Sequence, residues 1–114
     1  MYATNMKVAE VLLKHGAAVN ARANDGRTAL MLMRGPDFTK MLLANKADFR
    51  VAAADGTTAL MAAVEKNDQF SVQLLLEAGA DPNAKKANGE TALMIARRER
   101  RAKIAELLQK EGAR

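Results

Sequence analysis

The chain has 114 residues, a formal net charge of +5 and no cysteine. That length supports one hydrophobic core, the missing thiols exclude disulfides, thiolate zinc sites and thiol catalysis, and the basic balance permits an anionic partner without requiring one. No apolar run approaches the roughly eighteen residues of a membrane span, and the opening MYATNMKVAEVLLKHG, interrupted by Lys7 and Glu10, is not built like a secretory signal; a cytoplasmic protein is the default expectation.

The first predicted element is a helix over residues 5–15, stopped by Gly16 as a left-handed cap. Only MYAT precedes Asn5, too few residues to form a partner helix. Val8, Val11 and Leu12 are therefore expected to stay partly uncovered and to seek cover, in a homodimer or larger assembly or against a helix of a longer protein. His15, the single histidine, reads as a surface cation or cap at a helix end.

Asp25-Gly26 is a tight-turn dipeptide, and Thr28 follows where its hydroxyl could cap a helix over 29–34. Gly35 and Pro36 break that helix, and Asp37 is placed to cap the next, over 37–45. Lys46 stands where the other units have glycine, so it is expected to hold a left-handed backbone at a cost of about 1 kcal/mol.

Asp55-Gly56 and Thr58 begin the same pattern again, with helices predicted over 59–66 and 69–78 and Gly79 as the stop. In the second of these, Phe70, Leu74 and Leu75 fall on one helical face and read as core. Asn88-Gly89 and Thr91 open a last copy, with helices over 92–99 and 102–111 and Gly112 as its cap. Thr28 to Ala47 spans 19 positions, against 22 from Thr58 to Ala80 and from Thr91 to Ala113; three residues are missing around RGPDF, and a clipped first helix is expected there.

The tetrapeptide TALM therefore occurs three times, inside NDGRTALM, ADGTTALM and ANGETALM, with 33 residues from Thr58 to Thr91. A fixed period of this size means stacked supersecondary units, each too small to bury its apolar face alone. Four units follow, at about 1–23 (partial), 24–53, 54–86 and 87–114, in one domain over 1–114.

With the DG-x-T-x-L turn, the tail LLLEAGADPNA at residues 74–84 and that period, the chain resembles the ankyrin-repeat family from about Met6 onward. The resemblance implies an all-α solenoid of helix-turn-helix units joined by hairpin fingers. It departs from the family's TPLH motif: Ala29, Ala59 and Ala92 replace the proline, and Met31, Met61 and Met94 replace a histidine. The methionines are expected to pack as an apolar ladder rather than to hold a metal.

Nothing in the sequence assembles a catalytic site or a cofactor loop: no second histidine joins His15, the acids are scattered singly, and the glycines are periodic turn residues. A non-enzymatic protein-binding scaffold is the expectation, with neither metal nor cofactor. The resemblance places its partner surface on the turn tips and first helices, at Asn24, Asp25, Arg27, Ala54, Asp55, Thr57, Glu65, Lys66, Ala87, Asn88, Glu90, Arg98 and Glu99. An alternative is the basic run RRERRAK, Arg97 to Lys103, with Lys85 and Lys86, as a site for nucleic acid or another acidic surface. Against it, the end of a solenoid needs a polar face, and Phe38, Phe49 and Phe70 fall in core or turn positions rather than beside the arginines. A third reading is a fragment of a longer array.

Overall fold

A computed structural model describes residues 22–32 and 35–113. The expected helix at 5–15, the Val8, Val11 and Leu12 surface, and the roles of His15 and Gly16 lie outside those residues. The described part is helical: α1 (Ala29–Leu32), α2 (Pro36–Ala44), α3 (Ala59–Glu65), α4 (Gln69–Ala78), α5 (Ala92–Arg98) and α6 (Ala102–Lys110). Two isolated antiparallel bridges, Arg22 with Thr28 and Lys85 with Thr91, mark the fingers between units.

Local chemistry explains the helix starts. Thr58 and Thr91 lie in extended backbone, and each hydroxyl accepts from the amide three residues on, Met61 and Met94, both at 3.3 Å. Such a cap satisfies an amide that the first turn leaves without a partner. Thr28 departs from the expectation, because its buried hydroxyl finds no hydrogen-bond partner among the described residues and the Met31 amide turns to the Thr28 carbonyl at 3.0 Å. Asp37 does not cap α2 either. Pro36 takes the first helical position and Gly35, at φ 105°, the cap, which leaves Asp37 as an acid in the first turn.

Helix ends are equally regular. Ala80 donates to the Leu75 carbonyl and Ala113 to that of Leu108, both at 2.9 Å, across Gly79 and Gly112. Ala47 makes the same 2.9 Å bond to Leu42 across Lys46, whose φ is 67°, so the lysine takes the glycine's left-handed role.

The six helices form two layers. First helices α1, α3 and α5 stack in one, second helices α2, α4 and α6 in the other, and each pair closes on itself. Between the layers lies a single core that includes Leu30, Leu42, Leu60, Val64, Val72, Leu75, Leu93, Ile95, Ile104 and Leu108. Alanines at 59, 62, 63, 92 and 96 are buried with them and let the first helices approach closely. Burying each large side chain contributes about 1.5–3 kcal/mol.

The methionine ladder is incomplete. Met31 and Met61 are 1% exposed, but Met94 is 49% exposed, since no described unit covers the outer side of α5. Phe70 also departs from expectation: it is 66% exposed and Leu74 half-buried, while Ser71, Val72 and Leu75 face inward. Ser71 ties the second helices together. Its hydroxyl donates to the Asp68 carboxylate at 2.6 Å and meets the Thr39 hydroxyl at 2.7 Å, below the surface.

The end of the helix expected over 29–34, and with it the expected clipping, falls at residues 33 and 34, outside the described residues. Within the described Ala29–Leu32, the carbonyl of Met31 accepts from the Lys66 ammonium of the next unit. Arg101 of the following unit also reaches back, to the Glu65 carbonyl at 3.5 Å.

Candidate functional site

Three fingers project from the stack with the same construction. The amides of Gly26, Gly56 and Gly89 close a turn onto Ala23, Ala53 and Lys86 at 2.8–2.9 Å. At each tip a side-chain oxygen, from Asp25, Asp55 or Asn88, accepts the amide two residues on at 2.9–3.0 Å. That Asx turn holds the chain where glycine's left-handed φ begins the return. Neighbouring fingers are bonded through their backbones, with the Ala54 amide on the Asp25 carbonyl and the Ala87 amide on that of Asp55, both at 3.0 Å.

The finger side chains form a ladder of alternating charge. Arg27 contacts Asp25 at 3.2 Å and Asp55 at 3.8 Å; Lys86 lies between Asp55 at 3.9 Å and Glu90 at 4.0 Å; Arg98 pairs with Glu90 and stands 3.7 Å from Glu99. Four carboxylates thus alternate with three cations along the row. Exposed pairs of this kind are worth about 0–1 kcal/mol each, so their larger effect is to fix where each charge stands. The hydroxyl and amide of Thr57 hold the Asp55 carboxyl below its ordinary range, with Lys86 and Arg27 adding to the effect. Glu90 is lowered as well, first by its bond to Arg98 and then by that to Asn88, and the same bond raises the Arg98 guanidinium.

Most of the expected partner residues lie on this row. Asn24, Asp25, Ala54, Asp55, Ala87 and Asn88 are exposed at the tips, Arg27 and Glu90 are partly covered by the ladder, and Glu65, Arg98 and Glu99 stand exposed at the ends of α3 and α5. Two need correction. Thr57 is fully buried, with its amide on Asp55 and its carbonyl accepting from Ala53 at 2.8 Å, so it supports the finger and offers no surface. Lys66 is half-buried and spends its ammonium on the Met31 carbonyl.

The basic run does not form one patch. Arg98 belongs to the finger ladder, Arg101 turns inward toward Glu65, and Lys103 lies on the outer side of α6. Arg97 occupies the position that Val64 fills one repeat earlier; Val64 is fully buried and Arg97 exposed. It gives the end of the described stack a polar face. Among the described residues no three potential metal-ligating side chains cluster, and no helix is long and apolar enough to cross a membrane.

Sequence reasoning missed a second surface, on the opposite side of the molecule. Pro36, Asp37 and Lys40 of α2 face Phe70, Leu74 and Glu77 of α4 across a groove of about 530 Å³. The exposed Phe70 is its most prominent apolar side chain. Its signal lay in the repeat itself, because the next unit has Lys103 in the same register.

Residues 32–114 match a family model described as ankyrin repeats, in three copies. The chain belongs to the ankyrin-repeat family. The matched span covers α2 to α6, so the paired layers and the second and third fingers are those of ankyrin repeats. Ankyrin repeats generally serve as protein–protein interaction modules and are typically not enzymes. No curated protein matches the chain.

Proposed function

We propose that this ankyrin-repeat chain is a non-enzymatic scaffold that binds a protein partner across its finger tips and the adjoining ends of its first helices. The observation that carries this reading is the tip-to-tip bonding of the fingers, Ala54 to Asp25 and Ala87 to Asp55. Three exposed tips are thereby presented in fixed register, and a surface ordered in advance loses little conformational freedom on binding. The partner it suits is itself of mixed charge, since the ladder from Asp25 to Glu99 alternates in sign.

Affinity capture from a lysate at physiological salt, read by mass spectrometry, tests the proposal. A partner retained by the wild-type chain should be lost from a Glu65→Lys, Glu99→Lys double variant whose melting temperature is unchanged. Equal retention by both would remove the finger side from consideration.

A further inference from the structure

The groove between α2 and α4 has an internal control, because the same groove recurs one repeat later between α4 and α6. There Lys103, Glu106, Leu107 and Lys110 occupy the register of Phe70, Gln73, Leu74 and Glu77, around a space of about 310 Å³. The fold accepts lysine at both outer positions, so it does not require an aromatic at 70 or an acid at 77. Phe70 nevertheless stays 66% exposed in the first groove, beside Pro36 and Leu74. The two grooves also differ in the balance of their charges: two carboxylates, Asp37 and Glu77, and one cation, Lys40, border the first, while two cations, Lys103 and Lys110, and one carboxylate, Glu106, border the second. Asp37 is exposed and makes no ion pair among the described residues.

We propose that the α2–α4 groove is a second docking site, which takes one amphipathic helix of a protein partner with an apolar anchor on Phe70 and Leu74 and basic residues toward Asp37 and Glu77. A cleft between two neighbouring helices suits a third helix, whose side chains at i, i+3 or i+4 reach the floor together. Charge decides which groove is used. A basic amphipathic helix finds Asp37 and Glu77 at the two ends of the first groove, outnumbering Lys40, whereas in the second Lys103 and Lys110 outnumber Glu106 and repel it. This surface lies apart from the finger row and stands independently of it.

Selection of a randomised dodecapeptide display library on the full chain, followed by titration of the synthetic winners, tests the site. Expected winners combine aliphatic or aromatic residues at helical spacing with Lys or Arg. Their affinity should fall at least about tenfold in a Phe70→Lys, Glu77→Lys variant, a difference well beyond what a rim charge alone gives. That variant copies the residues at 103 and 110, so its circular dichroism and melting curve should match the wild type. The Glu65→Lys, Glu99→Lys finger variant should bind the same peptides unchanged, which separates this site from the finger surface. An Asp37→Lys variant, which alters one rim charge and leaves the apolar floor intact, should weaken the basic peptides to a smaller degree. A selection that yields no helical winner, acidic winners, or winners indifferent to Phe70 and Glu77 would overturn the proposal.

Discussion

Gly26, Gly56 and Gly89 share one backbone conformation, with φ of 84°, 89° and 87°, yet their surroundings differ. A Cβ on Gly56 would meet the backbone of Lys86 and Ala87 at 2.8 Å, whereas one on Gly89 would meet nothing within 4 Å, since no described finger lies beyond it. Gly89→Ala should therefore cost about 1–2 kcal/mol, from the left-handed backbone alone. Gly56→Ala should cost about 1–3 kcal/mol more, because rigid backbone must shift. Urea unfolding of the two variants checks the ranking, and equal losses would show that the fingers do not press on one another. The turn dipeptides, and Lys46 in a glycine's place, were legible in the sequence because local chemistry dictates them. Met94, Phe70 and Thr57 were not legible in the same way. Their exposure depends on which neighbour stands against them, and a helical spacing such as that of Phe70, Leu74 and Leu75 does not say which side the neighbour takes.

At the scale of the element, each finger is a short turn held by a side-chain oxygen at its tip, a carboxylate in two of them and the Asn88 amide in the third. The Asp55 and Glu90 groups titrate below their ordinary values of 3.8 and 4.5. A carboxyl with a depressed folded-state pKa contributes stability above its unfolded value, and that contribution is lost as pH falls through the folded one. Melting temperature should then hold from neutral pH to about 5 and drop as the pH passes below 4.5 and 3.8, and an Asp55→Asn, Glu90→Gln variant should show a shallower drop. An identical acid limb in both proteins would assign it to other carboxylates. The helices themselves were almost wholly legible, from α2 to α6 within one or two residues, because Gly, Pro and Thr punctuate them. The error at α2 was one of role: Asp37 looked like a cap, but Pro36 already suits the first helical position and moves the start one residue earlier.

For the whole molecule, the question is where stacking stops. Met31 and Met61 are covered by the unit that follows each, and Met94 is not; beside it Arg97 replaces the buried Val64. Another unit of the same kind could cover this face only by burying a guanidinium, which is costly unless the charge is paired. Arg97→Val should convert the face into an apolar one continuous with Met94. Light scattering over a dilution series should then show a larger mass for the variant than for the wild type at high concentration. If the two curves superimpose, the arginine does not limit association.

The outer rows of α4 and α6 repeat in register but not in chemistry, with Phe70 and Glu77 answered by Lys103 and Lys110. Substitutions at such solvent-facing positions usually change stability by less than about 0.5 kcal/mol. Copying a unit and then altering a few outer side chains can therefore give a neighbouring groove a different preference while the core stays as it was. Diversification on this side of the protein is nearly free of folding constraint, and one array can acquire distinct ligands one repeat at a time.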